Sequence, residues 1–360
     1  MENNQYGFDR IGGFERTKLD EKKNWLSIAA IWAGLTICVP ALMVGGIILS
    51  GLPLSQAIWS MVVGNILILT FMVPLGMIAT DQGYPTVINL SRVFGEKGSQ
   101  STISLLITLT FVGWFSIQAT VCASSFNLIL LSYWNISFPM WASIIIWGGI
   151  MLLTAMFGIK AIEKLNNVAV PLLLIGLIYG LIKAIQMPGA MEILRNHKPI
   201  VGQEITFLMG VNFTMAGIVS GATTVGDYTR YSKSRKETMY SCIFGVLPAG
   251  IIILSIGGIL SAISGNPDIT VVLSSFGQPI IGLLILIAAT WTTNSNTIYS
   301  AGLACLNLFN RKDEERKIIT LILGIIALAL GIIGVMEYFT QFLTFLSSLV
   351  PPVAGVAIAD

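Results

Sequence analysis

Charge is what this sequence has least of. Only 11% of its 360 residues are Asp, Glu, Lys or Arg, against about 25% in soluble globular domains. Histidine occurs once, at His197, in a segment between two apolar runs where a solvent-facing side chain is the expectation. The four cysteines (Cys38, Cys122, Cys242 and Cys305) fall singly, with no pair at metal-ligand spacing, and read as small packing residues. These scarcities argue against a metalloenzyme, and against an intramembrane enzyme, which would need catalytic His, Asp or Cys groups clustered at depth. No Gly-rich phosphate loop is present, which argues against an ATP-driven pump. Neither a repeated filter loop nor rings of charge, the marks of a channel, can be found.

Apolar sequence is what fills the chain. Hydrophobic residues make up 54%, and the mean hydropathy is +0.81. A helix needs about 20 mostly apolar residues to cross the hydrocarbon, where the backbone finds no partners outside itself. Uncharged runs predict ten spans, at roughly 25–50, 54–80, 101–132, 138–159, 165–187, 204–229, 239–264, 277–309, 317–335 and 338–358. With the N-terminus inside, 17 of the 20 Lys and Arg fall on the inner side, leaving only Lys183, Arg195 and Lys198 outside. Such a loop-by-loop alternation is the positive-inside pattern. The first 24 residues mix both signs of charge, and the run after them is too long for the core of a signal peptide. The expectation is an all-α, multi-pass protein of the cell membrane with a cytoplasmic N-terminus.

Two spans carry helix-breaking sequence. In the first, Pro40 follows Gly34 by six residues near mid-membrane, where it should kink or unwind the helix. In the sixth, Gly217, Ser220, Gly221, Thr223, Thr224 and Gly226 crowd twelve residues. Broken helices at the start of each half of a ten-span chain suit a five-plus-five inverted repeat with a binding site between the halves. The segments implied are 1–24 as an N-terminal arm, 25–187 as the first five-helix unit, 188–203 as a connecting loop and 204–360 as the second. Close packing through small residues is the plainer use of such glycines.

Span eight holds the densest polar cluster, Thr290 to Thr297, with seven polar residues among eight. Such groups are costly in hydrocarbon without partners, so some are expected to line a cavity. In span three, Trp114 and Gln118 stand four residues apart and share a helix face. An indole plane with a carboxamide one turn away suits a flat ring that stacks and hydrogen-bonds. Spans one, three, six and eight carry no acid or base at mid-membrane depth, which favours a neutral solute; Asp227 and Arg230, at the inner end of span six, read as an end-of-helix pair.

Four fragments carry a family resemblance: Gly113-Trp114-Phe115, Gly226-Asp227-Tyr228-Thr229-Arg230-Tyr231, Trp291-Thr292-Thr293-Asn294-Ser295-Asn296 and Pro351-Pro352-Val353-Ala354-Gly355. In this order and in these spans they resemble the nucleobase–cation symporters, the purine, cytosine, allantoin and hydantoin permeases. The resemblance implies the leucine-transporter fold, alternating access and secondary transport of a neutral nitrogen-rich ring, with no enzymatic activity. It implies Trp114 as the stacking residue, Gln118 and Asn294 as its amide partners, and backbone from Gly217 through Ile218 and Ser220 to Gly221 along the ring's polar edge. No bound cofactor is implied. A coupling Na⁺ would rest on the carbonyls of Gly34, Ile37 and Ala289 and the hydroxyls of Thr292 and Thr293, with H⁺ as the alternative. The partners are the ring, the cation and the bilayer, not nucleic acid. Two departures bear on the substrate. Phe111 stands where cytosine-type members place a glutamine, and Ile218 where members often place an aromatic. Family members have twelve spans, and the ten here make up the five-plus-five core.

Overall fold

The computed structural model describes residues 16–156, 175, 176, 178–266 and 279–359. Helices coincide with nine of the ten expected spans. The fifth, 165–187, lies largely outside the described residues, although 178–185 are helical.

The first span is two helices, α1 (Trp25–Thr36) and α2 (Val39–Gly51), bent by 58°. Proline makes the break. Pro40 has no N–H to give to the Thr36 carbonyl, which instead accepts from Cys38 N at 3.0 Å. The Cys38 amide is thereby turned away from Gly34, whose carbonyl would have been its helical acceptor.

Helix α3 (Leu54–Gln82) follows and ends on Gly83 at φ 74°. Next comes α4 (Thr86–Gly98), in a stretch that the search for uncharged runs treats as a loop. With 13 residues it is too short to cross. It is amphipathic, setting Ile88 and Leu90 against Arg92, Glu96 and Lys97. Helices α5 (Ser104–Trp134) and α6 (Met140–Met156) complete the described first half. The second half holds a short α7 (Ala190–Arg195), the sixth span as α8 (Phe207–Thr223) and α9 (Gly226–Thr229), then α10 (Arg235–Ser264), α11 (Pro279–Leu308), α12 (Arg316–Ile333) and α13 (Phe339–Ala359).

These helices sort into two packed groups. Spans one, two, six and seven form one: α10 lies along α1, α2 and α3, and α3 along α8. Spans three, four, eight and nine form the other, with α5 against α11, α12 and α6. Each half of the chain gives two spans to each group, the arrangement that inverted repeats generate. The tenth span, α13, lies mainly on α8.

Backbone contact holds the first group together. A Cβ on Gly45 would fall on the Leu254 carbonyl, one on Gly257 on the Leu42 carbonyl, and one on Gly245 within 2.7 Å of the Ala29 carbonyl. Lipid supplies no hydrophobic drive between helices, so close van der Waals approach through small residues does the joining. All four cysteines are buried and free, as packing residues should be.

His197 departs from expectation. It is half-buried, with Nε2 2.6 Å from the Leu49 carbonyl, while Ile200 N and Ile205 N bond the carbonyls of Ser50 and Gly51. The last carbonyls of α2 have no helical donors of their own, and this loop supplies them. On the opposite side of the protein, Lys22 Nζ donates to the carbonyls of Thr80 and Arg230. Burial there, with the Arg16 cation nearby, holds the Lys22 ammonium below lysine's usual pKa.

Candidate functional site: the seam between the two groups

Helix α5 is buried on both sides. Trp114, Ile117 and Val121 face the first group of spans, and Phe115, Ala119 and Cys122 the second. Trp114 is therefore turned toward the seam, 6% exposed, and Gln118 is buried one turn later. Gln118 Nε2 donates to Asn294 Oδ1 at 3.4 Å. Asn294 Nδ2 donates in turn to the Phe115 carbonyl at 2.9 Å and meets Met151 Sδ at 3.3 Å. The sequence-predicted amide pair is thus in contact across α5 and α11. Gln118 Oε1 is buried with no hydrogen-bond partner among the described residues. A buried amide oxygen in that condition costs free energy until a donor arrives.

The rest of the span-eight cluster is absorbed more locally than expected. Thr290, Thr293, Ser295 and Thr297 each donate to a carbonyl one turn back in α11, those of Leu286, Ala289, Trp291 and Thr293. Trp291 Nε1 donates to Thr154 Oγ1. Asn294 is the member that reaches α5.

Span six corrects one expectation. Helix α8 runs unbroken through Gly217–Gly221, and the interruption falls later, at Thr224–Val225. The Ser220 carbonyl is not released: it accepts from Thr224 N and from the hydroxyls of Thr223 and Thr224. A Cβ on Gly217 would lie 3.7 Å from Val44 and one on Gly221 3.6 Å from Trp32, so both face the first span. Ile218 is half-buried against the same core. Ser220 lines a cavity, together with Thr110, Phe111, Val350 and others from α5 and α13, and its Oγ has no partner among the described residues. That cavity measures about 20 Å³, room for a water molecule and not for a ring. It shares Leu90 and Thr223 with a second cavity of about 260 Å³, lined by Gln82, Thr86, Asn89 and Arg92. Sequence reading missed these lining residues of α3 and α4 because they sit where apolar runs stop. At this end of the sixth span Asp227 accepts from the Thr86 amide at 2.8 Å, and Arg230 donates to the Tyr231 hydroxyl while lying over its ring.

The residues expected to hold a cation are compatible with one. Gly34 has a carbonyl deprived of its helical donor, and nothing lies within 4 Å of where a Cβ would project. Ile37 ends α1 at the break, and α2 touches α11. Thr293 spends its proton on Ala289 O at 2.7 Å, leaving hydroxyl lone pairs to accept. The side chain of Thr292 lies outside the described residues. Among the described residues no three His, Cys, Asp or Glu side chains cluster to hold a metal ion. Neutral oxygens of this kind suit a hard monovalent ion.

Long apolar helices in two groups, with buried polar side chains at the seam between them and cavities among α3, α4, α5, α8 and α13, define a multi-pass membrane transporter. Comparison with known proteins narrows the class. Residues 17–360 match the family model described as permease for cytosine/purines, uracil, thiamine, allantoin, and the chain belongs to that family. It is 26% identical over 345 residues to the cytosine permease of Escherichia coli (strain K12), covering 94% of this chain and 78% of that one. It is 25% identical over 361 residues to the hydantoin permease of Microbacterium maritypicum, covering 93% and 72%. Its fold matches the inward facing conformation of Mhp1 with a TM-score of 0.83 at 22% identity, over 97% of this chain and 79% of Mhp1. The chain is therefore a permease, not an enzyme, with the all-helical leucine-transporter-like fold.

Proposed function

We propose that this permease brings a neutral, planar, nitrogen-rich ring (cytosine, a purine, allantoin or a hydantoin) into the cell by symport with Na⁺. Access would alternate between the two sides as the two groups of spans rock against each other across their seam. The observation that carries the reading is the Gln118 amide. Asn294 holds it beside Trp114, and its buried oxygen is left without a donor. A ring N–H would supply that donor, and the Trp114 indole would supply the face to stack on. The absence of acids and bases at this depth in spans one, three and eight favours a neutral solute. The names of the cytosine and hydantoin permeases point to the same chemical class. Ser220 would touch the ring's edge, and Gly217, Ile218 and Gly221 would lie on the part of α8 turned to the first span.

Na⁺, when bound, would supply a fixed positive charge joining the α1–α2 break to α11. Gly34, Ile37, Ala289, Thr292 and Thr293 are the residues we assign to it. The inner cavity would be the route of release, and the charge split of 17 to 3 supports a cytoplasmic N-terminus.

Equilibrium binding of labelled rings to the purified protein, competed by amino acids and amines, tests the substrate class. Saturable binding of one ring that amino acids leave untouched supports it; displacement by an amino acid or amine contradicts it. Thr293→Ala tests the ion. Among the described residues the hydroxyl bonds within its own helix, so the variant should fold normally yet lose about tenfold of any sodium enhancement of ring affinity. Unaltered sodium dependence would remove Thr293 from the assignment.

A further inference from the structure

We propose that Phe342, at the start of the tenth span, is the second aromatic wall of the substrate site, and that Gly113 is the residue that lets it in. The assignment rests on the transport reading above and extends it to a specificity-determining residue.

Three observations carry it. Trp114 is met edge-to-face by two phenyl rings of the α13 N-terminus: Phe342 at 5.2 Å and 82°, and Phe339 at 6.0 Å and 71°. The residue beside Trp114 is glycine, and there the ring has its room. A Cβ on Gly113 would lie 2.5 Å from Phe342 Cε2 and 2.8 Å from Phe342 Cζ, a separation that real Cβ contacts do not reach, so any larger residue displaces the ring. The later part of the sixth span, from Met215 to Gly226, contains no aromatic residue to compete, the nearest in α8 being Phe213 in the core of the first group. Phe339 is buried, whereas Phe342 is half-buried and keeps an open side.

The chemistry follows from position. A flat ring stacked on the Trp114 indole needs a second surface to leave water completely. Phe342 lies against that indole, on the span that packs along α8 and touches α5. It therefore adjoins both groups of spans, and its ring rides with α13 rather than with either wall. Seating a planar ring would reorient Phe342 from its edge-on contact, so that its contact with Trp114 becomes a contact with substrate. Rings broad enough to cover both surfaces would gain most. Gly113 is a positioning residue, acting through Phe342 alone.

A double-mutant cycle tests this. Ring affinity is measured by equilibrium binding for wild type, Phe342→Ala, Phe342→Tyr, Gly113→Ala and the Gly113→Ala/Phe342→Ala pair. An aromatic contact beyond its area is worth a factor of about 2–12, so Phe342→Ala should weaken binding by about that much and Phe342→Tyr should retain it. Gly113→Ala should match Phe342→Ala, and the pair should be no worse than either single change, because both remove the same contact. Full additivity, or a Phe342→Ala variant that binds as wild type does, overturns the assignment while leaving the transport reading standing. A folded wild-type protein that binds no ring of the panel overturns both.

Discussion

Replacing Gln118 by leucine is expected to weaken ring binding about a hundredfold without unfolding the protein. The amide offers the ring an acceptor, Oε1, that has no other partner, and a donor, Nε2, that is only loosely held by Asn294 at 3.4 Å. Losing two such bonds at about 1–1.5 kcal/mol each gives about 2.7 kcal/mol, or two decades in affinity. Stability moves the other way or hardly at all. Leucine fills nearly the same volume and removes a buried oxygen that nothing satisfies; against this, Asn294 Oδ1 loses one donor. The two effects are each about 1 kcal/mol and opposed in sign. Binding and thermal unfolding measured on the same preparation check the prediction. Affinity within threefold of wild type would take Gln118 out of the site, and a collapse of the melt would make it a structural residue.

Gly257→Val is expected to do the reverse, destroying the fold and saying nothing about substrate. Position 257 has no room: even a Cβ would overlap the Leu42 carbonyl. Neighbouring Gly258 and Gly45 show the same intimacy, with a Cβ on Gly258 at 3.0 Å from the Gly45 carbonyl. Two helices at backbone contact cannot admit a branched side chain by rotamer change. Helix α10 would have to move off α2, opening the packing of the first group. Overfilling a well-packed core costs about 1–3 kcal/mol even where neighbours can shift, and here the neighbour is main chain, so the cost should lie at the top of that range or above it. Size-exclusion profile and melting temperature of the solubilised protein measure it. A monodisperse variant melting like wild type would show that the first and seventh spans are not held at backbone contact.

What could be read from the residues in order, and what could not, follows physical lines. The positions of the described spans are legible because the length of an uncharged run is a local quantity. The first break was legible because Pro40 removes one identifiable bond, to Thr36. The second was misplaced because glycine has two uses in a membrane. Gly217 and Gly221 face Val44 and Trp32 from within an unbroken stretch of α8, where a Cβ would sit at ordinary contact distance, and sequence alone does not separate that from unwinding. The pairing of Trp114 with Gln118 came from helical spacing; that of Gln118 with Asn294 came only with the resemblance. The local bonds of the span-eight hydroxyls are not legible as such, because threonine and serine can bond the preceding turn at no cost in tertiary structure. Helix α4 escaped because its apolar residues alternate with charge. The approach of Phe342 to Gly113 joins residues 229 positions apart, and no local pattern announces it.

The central claim is that this chain moves a neutral nitrogen-rich ring with a cation through the Trp114–Gln118 seam. Uptake into liposomes containing the purified protein tests it most directly, with labelled cytosine, uracil, adenine, hypoxanthine, allantoin and a hydantoin, each with and without an inward Na⁺ gradient. The account predicts that one ring or a small set accumulates, that accumulation collapses when the gradient is removed, and that Gln118→Leu protein shows neither. Accumulation that ignores Na⁺ and survives Gln118→Leu would contradict it.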